Sequence, residues 1–128
     1  MKEKVSLPNS ELKVMNKIWE LGSTVTVREM VDILNAEGEE WAYQTVATFL
    51  KHLEVKGFLS VTQKGNKLCY FPLISQEQYK KNEAEGFLKR SFGGSLEKFL
   101  TAFRGSDKIR KEEIKKLKAW LDEYDDGD

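Results

Sequence analysis

Gln44, Thr48, Lys51 and Val55 recur at intervals of four and three residues, so a helix would bring them to one face. Val46, Phe49, Leu50 and Leu53 would then form the opposite, apolar face. An amide, a hydroxyl and an ammonium on one helix surface can hydrogen-bond base edges and neutralise phosphates. Downstream, Lys64 and Lys67 bracket Gly65-Asn66, a turn sequence between two β-rich segments, Phe58–Gln63 and Leu68–Leu73. A polar helix followed by a lysine-tipped hairpin is the arrangement that grips duplex DNA, with the helix in the major groove and the hairpin against the backbone. On this reading the Gln44 amide suits adenine N6 and N7, and Thr45 and Thr48 suit a thymine methyl or a phosphate. Tyr43, Lys51, Lys64 and Lys67 suit phosphates.

The elements that must position this face are legible upstream. A first helix opens near Asn9 or Ser10, either able to cap it, and runs to Leu21 before Gly22. Leu12, Met15 and Trp19 form one apolar stripe and Val14, Ile18 and Leu21 a second, which predicts a helix buried on more than one side. Thr24-Val25-Thr26 reads as a short extended link. Thr26 and Glu29 make a capping box for a second helix whose Val27, Met30, Val31 and Leu34 share a face; Gly38 closes it. The third helix is expected from Ala42 to about Lys56, with Gly57 as a left-handed stop. Pro72 ends the second strand, where a missing N–H is tolerated.

From Ser75 the pattern changes. Ser75 and Gln78 make another capping box, for a helix carrying Tyr79, Ala84, Phe87 and Leu88 that stops before Gly93-Gly94. Ser95 starts a short helix with Leu96, Phe99, Leu100 and Phe103 in register. A last helix carries Ile114, Leu117, Trp120, Leu121 and Tyr124. Some 54 residues in three helices bury little core alone, yet they display many large apolar side chains. A second copy of the chain is the simplest cover. The expected fold is therefore mainly α with a small β hairpin: a winged helix-turn-helix DNA-binding domain over 1–74 and a helical dimerisation domain over 75–128. Phe87, Leu88, Phe99, Leu100, Phe103, Ile114, Leu117, Trp120 and Leu121 are its interface candidates. The aromatics Phe87, Phe92, Phe99, Phe103 and Trp120 could instead line a ligand pocket, but their helical spacing suits a core or dimer interface better.

Composition narrows the function further. Lysines and arginines number 21, as do aspartates and glutamates, so long-range attraction to phosphates is weaker than for a basic protein. The charge is uneven locally: Trp41–Lys67 holds Lys51, Lys56, Lys64 and Lys67 against Glu54, whereas Glu29–Glu40 holds Glu29, Asp32, Glu37, Glu39 and Glu40. No apolar run is long enough to span a bilayer, and Met1–Val5 lacks the apolar core of a secretory leader. One cysteine fits a reducing cytoplasm, where the protein is expected to act. Phosphate-loop, nucleophile-elbow and zinc-protease motifs are missing, so no enzyme, metal or cofactor is expected. His52, beside Lys51 on a basic helix, suits a backbone or phosphate contact better than general-base catalysis. Cys69, flanked by Leu68 and Tyr70, suits packing better than redox sensing. The Lys108–Lys118 charge run reads as a solvated face, and the acidic end, Asp122–Asp128, as a solvated tail rather than a calcium loop.

Several runs together resemble a known family. Glu11-Leu12-Lys13-Val14-Met15-Asn16-Lys17-Ile18-Trp19 is similar to the first helix, E-x-x-V-M-x-x-I-W, of the penicillinase repressors. Val27-Arg28-Glu29-Met30 resembles their second helix, and Trp41–Thr48 their W-x-x-x-T-V-x-T start of the recognition helix. Leu53–Gly57 follows L-x-x-K-G, and Tyr70–Leu73 is similar to the wing end Y-x-P-L. Phe87-Leu88, Gly94-Ser95 and Glu112-Glu113-Ile114 with Leu117 continue the pattern. The resemblance implies a homodimeric winged-helix transcriptional repressor of bacteria that binds double-stranded operator DNA with two inverted half-sites. It also implies a regulatory protease, because members controlling antibiotic resistance are inactivated by cleavage of an Asn-Phe bond; the matching place here is Ala102-Phe103. The C-terminal cysteine cluster of copper-responsive relatives is missing. Ala42 replaces the usual capping Ser, and Ala47 stands where relatives often carry a basic residue. The alternative reading is a winged-helix protein-docking module that binds no DNA.

Overall fold

Apolar spacing of three and four residues yields helices, and β-rich segments on either side of Gly65-Asn66 yield a hairpin. The computed structural model describes residues 6–124. The elements are α1 (Asn9–Leu21), β1 (Val25–Thr26), α2 (Val27–Ala36), α3 (Tyr43–Val55), β2 (Leu59–Lys64), β3 (Lys67–Pro72), α4 (Gln76–Phe92), α5 (Leu96–Thr101) and α6 (Lys111–Glu123). The expectations for Met1–Val5 and for the tail residues Asp125–Asp128 lie outside the described residues.

Val14, Met15 and Ile18 of α1 are fully buried, with Leu12 and Trp19 half-buried against the same core; Leu21 remains exposed. The second stripe thus stops a turn early. Neither Asn9 nor Ser10 caps α1. Pro8 holds that position, and its carbonyl accepts from the Leu12 N–H at 2.8 Å. Gly22 closes the helix at φ 68°, a left-handed turn its missing Cβ permits. The capping box of α2 is complete: the Thr26 hydroxyl accepts from the Glu29 N–H, and the Glu29 carboxylate accepts from the Thr26 N–H. Val27, Met30, Val31 and Leu34 are all buried, as their spacing requires.

The expected extended link is partly a strand. Val25 pairs with Tyr70 and Thr26 with Cys69, so the sheet is three-stranded and antiparallel in the order β1-β3-β2. Two residues are too few for alternation to show in a sequence, but they satisfy the free edge of β3. The hairpin runs in register from Leu59 opposite Pro72 to Lys64 opposite Lys67. Phe58, expected to open the first strand, is instead a fully buried core residue whose carbonyl accepts from the Leu73 N–H.

The chain divides into two compact units between Glu85 and Gly86, inside α4. The first turns of α4 therefore pack with the N-terminal unit. Tyr79 is buried there, its ring 5.6 Å from both Trp19 and Phe58, and its hydroxyl accepts from the Leu7 N–H. The Trp19 indole N–H donates to the Ile74 carbonyl at 2.8 Å. The Ser75–Gln78 box is half made: the Ser75 hydroxyl takes the Gln78 N–H, but the Gln78 side chain bonds Asn82.

In the second unit Phe87, Phe92, Phe99 and Phe103 meet edge to face, with centroids 5.2 Å apart between Phe99 and Phe103. Neither α5 nor α6 has a buried residue.

Candidate nucleic-acid interface

Burial of Val46, Leu50 and Leu53 against α1 and α2 fixes the rotation of α3 about its axis. Tyr43, Gln44, Thr48, Lys51 and Val55 are consequently exposed, while Thr45 and Ala47 are half-buried and Ala47 packs against the core. The start of α3 is held by a side-chain clamp. The Asn35 carbonyl accepts from the Trp41 N–H, and the Asn35 amide donates to the Trp41 carbonyl, both at 3.0 Å. The Trp41 ring then meets Phe49 edge-on at 5.2 Å. Ala42 has the extended backbone of an N-cap but no side chain to fill the role.

The C-terminal end of α3 is tied to α1. The buried Glu11 carboxylate accepts from the Lys56 ammonium at 2.6 Å and lies 3.0 Å from His52 Nδ1. Burial pushes this carboxyl up, but hydrogen bonds and charge from Lys56 and His52 outweigh it and hold it below the ordinary value. Two readings are corrected here. Lys56, counted with the basic stretch, turns onto Glu11, and His52 meets a carboxylate rather than the backbone. The spacing of His52 and Lys56 puts them on one side of α3, but nothing local marks their acidic partner.

The acidic stretch is largely consumed inside the fold. Glu29 serves the α2 cap, Glu37 pairs with Lys17 and Glu39 with Lys13, each at 2.6 Å. Lys51 pairs loosely with Glu54 at 3.5 Å. Lys64 and Lys67 sit directly opposite across the hairpin, both exposed, and neither makes an ion pair among the described residues. Like charges facing across a strand pair are unfavourable in isolation. The Gln63 side chain donates to the Gly65 carbonyl and stiffens the turn. Arg28, named in the sequence only as part of the second-helix run and given no role there, lies over the Tyr43 ring at 5.0 Å.

Cys69 is buried. Among the described residues no cluster of three or more His, Cys, Asp or Glu side chains could hold a metal, and no helix is long and apolar enough to cross a membrane. In the second unit, Phe87, Leu100, Phe103, Ile114, Trp120 and Leu121 are exposed, and Leu88, Phe99 and Leu117 are half-buried. Leu96, Leu100, Phe103, Ile109 and Ile114, with Glu97, Thr101 and Arg104, line a recess between α5 and α6. Ala102 and Phe103 lie in the exposed turn that follows α5.

The sequence profile of the penicillinase repressors matches residues 7–123, nearly the whole chain. The chain belongs to the penicillinase repressor family. The penicillinase repressor of Bacillus licheniformis is 30% identical over 97% of this chain and 95% of its own length. The methicillin resistance regulatory protein MecI of Staphylococcus aureus (strain N315) is 22% identical over 88% of this chain and 89% of its own length. The DNA-binding domain of the repressor BlaI, solved in solution, superposes with a TM-score of 0.53 at 30% identity, covering 62% of this chain and 94% of that domain. The monomeric form of BlaI from Bacillus licheniformis, in complex with the blaP half-operator, gives 0.50 over the same shares. This penicillinase repressor homologue is thus a winged-helix transcriptional repressor and not an enzyme.

Proposed function

We propose that two copies of this chain occupy a pseudo-palindromic operator and block transcription from it. The observation that carries the reading is the polar face of α3: packing of Val46, Leu50 and Leu53 leaves Gln44, Thr48 and Lys51 facing solvent, beside a hairpin tipped by two lysines that make no ion pair among the described residues. The half-operator complex of BlaI supports it. Gln44 reads a base, and Thr45 and Thr48 touch a thymine methyl or a phosphate; Ala47, packed against the core, contributes no polar contact. Tyr43, Lys51, Lys64 and Lys67 hold the backbone.

Residues 75–128 supply the dimer contact, supported by the exposed apolar side chains of α4 to α6. Two recognition helices then lie about one helical turn, ~34–36 Å, apart. The protein works in the cytoplasm, where its operator is. A regulatory protease acting on the exposed Ala102–Phe103 turn belongs to the same proposal, and it would cut after Ala rather than Asn. A docking module is the weaker reading, because a docking face should be apolar at its centre, whereas the α3 face is polar.

Gel-shift titrations against an operator selected from random duplexes, and against its scrambled counterpart, test the division of labour. Gln44→Ala is expected to lose ~1–3 kcal/mol on the operator alone, and Lys64→Ala to weaken both duplexes alike with a shallower salt dependence. Equal losses from both variants on both duplexes would refute it.

A further inference from the structure

The starts of α2 and α3 and the hairpin turn enclose a recess lined by Thr26, Val27, Arg28, Tyr43, Asn66, Lys67 and Leu68. Two cations, a phenol and an amide therefore converge from three separate elements, with no acidic side chain in the lining. The Arg28 guanidinium lies 5.0 Å above the Tyr43 ring centroid. A guanidinium placed over an aromatic ring is held there by cation–π attraction while its N–H groups can still donate to an anion. Its acidic neighbour, Asp32, is 3.8 Å away, and both side chains are about two-thirds exposed, 64% and 67%. Such a pair is worth little and yields readily to a better anion. Glu29, the next residue, has its carboxylate engaged by the Thr26 N–H.

We propose that Arg28, Tyr43 and Lys67 together form a seat for one phosphate of the DNA backbone, with Arg28 its principal donor. The inference rests on the reading that α3 and the hairpin face a duplex, and it adds α2 to the surface that does so. The seat joins the first residue of the recognition helix to the tip of the wing. One phosphate held there sets how far the helix start enters the groove. Arg28 is a positioning contact with no base preference, because a phosphate carries no sequence information.

Fluorescence anisotropy of a labelled, mixed-sequence duplex, titrated with the full chain over a range of salt concentrations, tests the seat. Losing one phosphate contact lowers the slope of log K against log salt by ~0.9. Arg28→Ala is expected to lower the slope by that amount and to weaken binding about three- to tenfold at moderate salt. Arg28→Lys keeps the charge but not the fork of N–H donors, so the wild-type slope is expected with weaker binding. Arg28 is exposed, and circular dichroism melts identical to wild type would tie these losses to the contact itself. A wild-type slope in Arg28→Ala, with the unmodified protein binding in a salt-dependent manner, overturns the seat and leaves the DNA reading standing. Absence of salt-dependent binding by the unmodified protein overturns both.

Discussion

Replacing Glu11 by Gln tests whether α3 is anchored electrostatically to α1. The carboxylate side chain is 7% exposed, and its partners Lys56 and His52 are 29% and 52% exposed. A hydrogen bond to a charged group contributes ~1.5–3 kcal/mol. Two such bonds would set an upper limit near ~6 kcal/mol, but both partners can reach water once released, and the His52 contact counts fully only when the ring is protonated. Gln also keeps the volume and one acceptor. The expected loss is therefore about 2 kcal/mol, near the low end for one such bond. For a unit of this size that corresponds to a fall in Tm of roughly 10 °C.

The pH dependence carries a sign. The folded-state pKa of Glu11 lies below its ordinary value because the bonds to Lys56 and His52 outweigh burial. The stabilisation is then complete above the unfolded-state pKa, about 4.3, and is lost as pH falls through the lowered folded-state value. Urea melts of wild type and Glu11→Gln should stay separated from neutral pH down to about pH 5 and draw together as the pH falls further, through the lowered folded-state value. A variant within about 0.5 kcal/mol of wild type at neutral pH, a difference ordinary for surface changes, would refute the anchoring. So would a gap that survives unchanged in acid.

Ala42 already has extended N-cap geometry without a capping side chain, so Ala42→Ser is expected to raise stability by about 1 kcal/mol in a thermal melt; no gain would mean that the N–H groups at the start of α3 are already satisfied. Leu100→Asp and Phe103→Asp place charges among the exposed apolar residues of the second unit. Sedimentation should show these variants as monomers, and binding to a two-half-site operator should weaken far more than binding to a single half-site.

The helices of the reader were legible because their signals are local. Thr26 and Glu29 mark a start by chemistry confined to one turn, and Val27, Met30, Val31 and Leu34 repeat at a helical period. The polar face of α3 follows from the same arithmetic once Val46, Leu50 and Leu53 are assigned inward. What escaped depends on distance. Glu11 is 41 residues from His52, and no periodicity connects an acid on α1 with a base on α3. Arg28 meets Tyr43 only because α2 and α3 begin side by side. β1 is two residues long and exists because β3 has an open edge. Tyr79, expected in the C-terminal part, packs on Trp19 and Phe58, since an aromatic ring at the start of a helix can cover whichever core lies nearest.

Asn35 saturates both backbone groups of Trp41, much as a neighbouring strand would. The connection between α2 and α3 is therefore a stiff bracket rather than a hinge. A repressor built this way surrenders little loop entropy when it docks, so more of its contact energy survives as affinity. Adaptation to imperfect operator sequences must then fall on long side chains and on the bending of the duplex itself.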